Sequence, residues 1–254
     1  NGSGYNGNAD ASTYTAIQSA VWDPSHPVSV LSSSFGDDES MSPSSPFYEA
    51  YKQLFIDAAL HNITFFNALG DGGSGNETGN GLTNLEYNVT SPYGVLVGGT
   101  SISTLSIAKQ DPTILPTIVT PALQGDPATI WQLVTGGLTS MPADVATLQS
   151  FVEAVWNNYF VSGTTISPGY TENHTSSGGV DPTQPAPSYQ VDYGLDPVTS
   201  DPLAQHGRGA PDVSVNAGGN TYYTTPNSDM LGTTANGGTS AASPFWASLT
   251  AQLN

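Results

Sequence analysis

The stretch Gly237-Gly238-Thr239-Ser240-Ala241-Ala242-Ser243-Pro244 decides the reading of this chain. A glycine pair lets the backbone turn sharply and come close to another chain. The small residues after it run into the apolar Phe245-Trp246-Ala247-Ser248-Leu249-Thr250-Ala251-Gln252-Leu253, so a helix is predicted over Ser240–Leu253. Ser240 then opens that helix. Unpartnered backbone N–H groups and the positive end of the helix dipole favour a developing anion there. A serine hydroxyl in that setting has the surroundings of a nucleophile beside part of an oxyanion hole. The plainer alternative, a small-residue helix cap, fits a bare Gly-Thr-Ser better than this longer segment.

Working outward, a strand–helix–strand pattern precedes it. A helix is predicted over Ala11–Trp22 and a β-rich run over Val28–Ser34. A second helix follows over Phe47–His61, with Pro46 near its first turn and Tyr51, Leu54, Phe55 and Ala58 at helical spacing. Ile63–Ala68 then reads as a buried strand. This order suggests a βαβ unit in a parallel sheet. The polar loop Gly70–Gly81 leaves the carboxyl end of that strand, where parallel α/β sheets place their sites. A further short strand is predicted at Gly94–Val97, running into Gly98-Gly99-Thr100. Residues 104–150 differ in character, with five prolines and two predicted helices, near Ala128–Val134 and Ala143–Asn157. They are expected to form a peripheral insertion in one domain spanning 1–254. Residues 161–210 read as long loops rich in Gly, Pro, Ser and Thr.

Charge narrows the function. Three basic residues, Lys52, Lys109 and Arg208, stand against 21 acids, a net charge of −18. No cationic surface for nucleic acid can be built from that set. Only 9% of residues are charged, and the acids are scattered. A protein with few ion pairs has little to lose when carboxylates protonate, so the composition suits acidic surroundings. There are no cysteines, which excludes disulfides and thiolate chemistry. No apolar run reaches the roughly 18 residues of a membrane span. Sequons at Asn1, Asn62, Asn76, Asn88 and Asn173 become glycosylation sites if the protein travels a glycosylating secretory route.

The segment Gly-Thr-Ser-x-Ala-x-Pro resembles the nucleophile segment shared by subtilisins and sedolisins. A subtilisin needs a histidine base in an HGTH-like context. None of His26, His61, His174 and His206 has it, although His206 lies near a family-like segment. The loop after Ile63–Ala68 reads Ala68-Leu69-Gly70-Asp71-Gly72-Gly73. An aspartate where a subtilisin has its oxyanion asparagine is similar to the sedolisin Ser-Gly-Asp-Ser-Gly pattern. Leu69 and Gly72 depart from it; Gly70, Asp71 and Gly73 keep it. Val28–Gly36, Ser91–Thr100, Val155-Trp156-Asn157, Ser176–Val180 and Arg208–Val213 follow in family order. Resemblance covers nearly the whole chain apart from about 104–150.

The resemblance implies an α/β fold of subtilisin type, a mostly parallel sheet flanked by helices. It implies an acid-active serine-carboxyl endopeptidase of peptide or protein substrates, with Ser240 as nucleophile and Asp71 as a protonated oxyanion donor. Ser34, Phe35, Gly36, Gly178 and Gly179 are the candidate substrate-binding residues, and Asp212 reads as structural. The family's glutamate and aspartate lie one turn apart on a helix, and no Glu-x-x-x-Asp occurs here. That helix is expected upstream of Asn1 or on a second chain, and the family's calcium loop beyond Asn254. No metal site is expected within the chain itself. The rival reading is a sedolisin-fold protein without catalysis, acting as a surface or scaffolding component. The expected location is extracellular or an acidic compartment.

Overall fold

The structure, a computed structural model, describes residues 12–35, 44–73, 90–102, 116, 120–126, 129, 153–156, 160–162, 165–167, 175–199, 203–218 and 223–253. Helix α1 (Ser12–Val21) leads to strand β1 (Val30–Ser33), helix α2 (Pro46–Leu60) and strand β2 (Thr64–Ala68). Each falls within two residues of its predicted position. The α2 start is built as the sequence suggests: the Ser45 side chain accepts from the Phe47 N–H at 3.2 Å, with Pro46 at the first helical position. Tyr48, Tyr51, Phe55 and Ala58 recur at helical spacing, and all are buried.

Strand β3 (Val95–Ile102) continues well past its predicted end, through Gly98 and Gly99. β1, β2 and β3 are parallel neighbours, and β9 (Val213–Asn216) runs parallel to β3. β4 (Glu153–Val155) is antiparallel to the second half of β3. Thr100 pairs with Asn216 in β9 and also with Val155 in β4. A strand has two edges, so β4 lies on the edge that β2 covers earlier. The sheet thus has four parallel strands and one antiparallel strand. The predicted helix Ala143–Asn157 is corrected here, because its residues 153–155 are strand. Residues 143–152 and 157 of that prediction, and almost all of Ala128–Val134, lie outside the described residues, and Trp156 follows β4 as a buried residue outside any helix. Within 104–150 the described helix is the single turn α3 (Thr120–Leu123).

Residues 160–210 are less loop-like than expected. Strands β5 (Phe160–Ser162) and β6 (Thr165–Ser167) pair with each other, as do β7 (Gly179–Asp181) and β8 (Arg208–Ala210). A short helix α4 (Ser188–Asp192) lies between β7 and β8 in sequence. A hairpin of β10 (Tyr223–Pro226) and β11 (Thr233–Asn236) precedes the last helix, α5 (Thr239–Leu253).

Period-two alternation puts the sheet's side chains into two cores. Leu31 and Phe65 face α1 and α2, packing with Ile17, Val21, Tyr51, Leu54 and Phe55. Val30, Phe66, Val95, Val97, Val213 and Val215 face α5 and pack with Ala242, Trp246 and Ala247. The small residues of α5 let it lie close on the sheet. Ala242 and Ser243 are fully buried, and Ser243 Oγ is 2.9 Å from Ser32 Oγ in β1.

A second polar anchor sits at the opposite turn of the chain. Arg208 is fully buried, with its two terminal nitrogens donating to Asp212 Oδ1 and Oδ2 at 2.7 and 2.5 Å. Asp212 Oδ2 also accepts from the Leu96 N–H at 2.7 Å. This pair locks the entry of β9 against β3, so Asp212 is structural, as expected. No described helix is long and apolar enough to cross a membrane.

Candidate active site

The loop after β2 is positioned by backbone bonds on both sides. Leu69 N–H donates to Val97 O at 3.0 Å. Its side chain is buried with Leu96 and Ala210. The departure from the family pattern at Leu69 is therefore a core side chain. Gly70 follows with φ 106°, a conformation that favours glycine. Next, Gly70 O and Asp71 O accept from the N–H groups of Ser177 and Thr175, at 3.0 and 2.9 Å. The chain through 175–177 is laid alongside Asp71 in this way. Gly178 is exposed at its end, and Gly179 enters β7 opposite Ala210.

Asp71 reaches across 168 residues to the start of α5. Its Oδ1 accepts from the Thr239 N–H and from the Thr239 hydroxyl, both at 2.8 Å. Thr239 is fully buried, and its Oγ1 accepts from the Gly70 N–H at 3.0 Å. Gly238, with φ 92°, passes so close that a Cβ there would sit 2.6 Å from Asp71 Oδ2. Ser240 comes next, exposed at the surface on the first turn of α5. Its N–H belongs to the donors that have no acceptor within the helix.

Pro244 explains a further contact. Without an N–H, it cannot donate to the carbonyl four residues back, which is that of Ser240. The Ser34 hydroxyl donates to that carbonyl instead, at 3.2 Å. The end of β1 is thus tied to the residue carrying the candidate nucleophile. Phe35, two-thirds exposed, follows it. Ile17, Ala20, Leu31, Ser34, Phe35 and Pro244 line one groove.

The structure therefore brings Asp71, Thr239, Ser240 and Ser34 together and puts Gly178 and Gly179 on the segment that runs beside Asp71. Gly36, with Asp37, Asp38 and Glu39 after it, lies outside the described residues. Thr239 was not singled out by sequence reasoning; its place in Gly-Gly-Thr-Ser was the available signal. His206 is engaged elsewhere, its Nδ1 2.7 Å from Asp196 Oδ1 in an exposed pair. His26 likewise pairs with Asp23 at 3.0 Å. Among the described residues no group of three or more His, Cys, Asp or Glu is gathered to hold a metal ion.

Comparisons with known proteins place the chain in a family. The model of the subtilase family matches residues 2–254. Kumamolisin from Bacillus sp. (strain MN-32) is 31% identical over 248 residues, which are 97% of this chain and 35% of that protein. A solved structure of Pseudomonas sedolisin, a serine-carboxyl proteinase complexed with two molecules of pseudo-iodotyrostatin, superposes with a TM-score of 0.59 at 22% identity. That likeness covers 97% of this chain and 52% of the sedolisin chain, so this chain spans about a third and about half of these two relatives. With its family model matched over nearly every residue, the chain belongs to the subtilase family of peptidases, and its similarity to kumamolisin in sequence and to sedolisin in fold lies within that family.

Proposed function

We propose that this chain is part of the peptidase domain of an acid-active serine-carboxyl endopeptidase. The carrying observation is the direct bonding of Asp71 to Thr239, the residue before Ser240, at the amino end of α5. Ser240 Oγ attacks the peptide carbonyl, and its proton passes to a glutamate carried by a segment outside this chain, steadied there by an aspartate. The new oxyanion accepts hydrogen bonds from the Asp71 carboxyl and the Ser240 N–H. The carbon–nitrogen bond then breaks, the glutamate returns the proton to the leaving amine, and water hydrolyses the acyl-enzyme.

A carboxyl donates a hydrogen bond only in its protonated form, so Asp71 in this role must keep its proton, as an acidic medium ensures. The scarcity of basic residues fits the same condition. The expected location is extracellular or an acidic compartment, and the sequons fit a secretory route. Ser34, Phe35, Gly36, Gly178 and Gly179 are assigned to the walls of the peptide-binding cleft. Residues 104–150 are assigned to a peripheral insertion. Calcium belongs, on this reading, to a part of the full-length domain beyond these residues, and no step above uses it.

The test is hydrolysis of a denatured protein by the full-length polypeptide at pH 3 and pH 7, with and without Ser240→Ala. Cleavage at pH 3 that Ser240→Ala abolishes is expected. No cleavage at either pH would favour the non-catalytic alternative, and cleavage that survives Ser240→Ala would remove Ser240 from the mechanism.

A further inference from the structure

We propose that Thr239 is a positioning residue that gives the two carboxyl oxygens of Asp71 different tasks, Oδ1 as a fixed acceptor and Oδ2 as the proton-bearing donor. The proposal rests on the reading of Asp71 as the oxyanion donor. It starts from three bonds. The Gly70 N–H donates into Thr239 Oγ1 at 3.0 Å, so the hydroxyl oxygen is already an acceptor there. A hydroxyl has one hydrogen. That hydrogen is directed at Asp71 Oδ1, 2.8 Å away. The Thr239 N–H points at the same oxygen, also at 2.8 Å. Oδ1 thus receives two donors at once.

A proton on Oδ1 would face both of those hydrogens. The acid form of Asp71 therefore carries its proton on Oδ2. That oxygen lies over the bare Cα of Gly238, where a Cβ would approach it to 2.6 Å. Gly238 keeps clear the space that Oδ2 needs, and Thr239 turns Oδ2 into it. Because Thr239 and Ser240 are consecutive on α5, the same backbone turn that aims the carboxyl also presents the serine. The chain Gly70–Thr239–Asp71 is cooperative, since each bond polarises the next. Thr239 is fully buried, so no water competes for its hydroxyl.

The experiment is a double-mutant cycle in the full-length enzyme at its acid optimum, with Thr239→Val, Thr239→Ser, Asp71→Ala and Thr239→Val combined with Asp71→Ala. Thr239→Val removes the hydroxyl at nearly constant shape. It is expected to lower kcat about 3- to 10-fold with KM near its starting value, the size of one hydrogen bond felt in the transition state. Thr239→Ser, which keeps the hydroxyl, is expected to stay within about 2-fold of the unmodified enzyme. In the Asp71→Ala background, Thr239→Val should change kcat by less than about 2-fold, because there is no carboxyl left to position. If Thr239→Val fails to fold, Thr239→Ala takes its place in the cycle. Equal losses from Thr239→Val in both backgrounds, with Asp71→Ala itself impaired, would overturn the positioning role and leave Asp71 as donor. So would a Thr239→Ser variant as slow as Thr239→Val. Full activity in Asp71→Ala would instead overturn the donor reading, and this proposal with it.

Discussion

Ile102 and Glu153 are cross-strand partners, the last residue of β3 facing the first residue of β4. The segment between them therefore starts and ends at adjacent points of the sheet. An antiparallel pair needs only a two-residue turn to connect it. The expected result of replacing residues 103–152 by Asn-Gly is a folded protein with Ser240-dependent hydrolysis retained. Cooperative unfolding in urea and the hydrolysis rate are the measurements. Loss of cooperative unfolding would mean that the segment belongs to the core and is no insertion.

The Ser34 hydroxyl bond to the Ser240 carbonyl exists because Pro244 cannot supply it. Ser34→Ala should cost about 0.5–1.5 kcal/mol in urea unfolding, the net worth of one such bond. Pro244→Ala restores an N–H four residues after Ser240. In that background the cost of Ser34→Ala should shrink, and a double-mutant cycle reads the difference. Equal costs in both backgrounds would show that Pro244 and Ser34 act independently.

Removing Asp212 should be far more damaging. Its partner Arg208 is fully buried, while Asp212 is nearly so. Asp212→Ala would leave a buried guanidinium without its counter-charge, a loss on the order of 3–5 kcal/mol. Replacing both residues by apolar side chains should recover much of that loss. Chemical denaturation of the two variants checks this. A loss under about 1 kcal/mol for Asp212→Ala would mean that the pair is solvated, as surface pairs are.

The helices and the first two strands were legible because their signals are local. Proline and serine at the start of α2, helical spacing of Tyr51, Phe55 and Ala58, and the apolar run at Phe65–Phe66 need no distant partner. The nearness of Asp71 to the start of α5 was legible through the two motifs. β4 was not, because Glu153 and Ala154 favour a helix in isolation and become strand only where Ser101 and Ile102 offer a ladder. β9 is four residues long and is likewise defined by its pairing with Val97–Thr100. Thr239 bonds to a residue 168 positions away, so its place in Gly-Gly-Thr-Ser marks the position without giving its partner.

The central claim is that Asp71 supplies a hydrogen bond to the oxyanion formed at Ser240. A pH–rate profile of the full-length enzyme beside its Asp71→Asn and Asp71→Ala variants tests it most directly. Asn offers a neutral donor that needs no acid, so Asp71→Asn should keep measurable activity and fall less steeply toward neutral pH. Asp71→Ala should lose about 100-fold or more in kcat, the usual cost of one oxyanion donor. The unmodified enzyme should work best in acid. Unchanged turnover in Asp71→Ala, or an optimum at or above about pH 7 for the unmodified enzyme, would contradict the account, because a carboxyl that has lost its proton cannot donate.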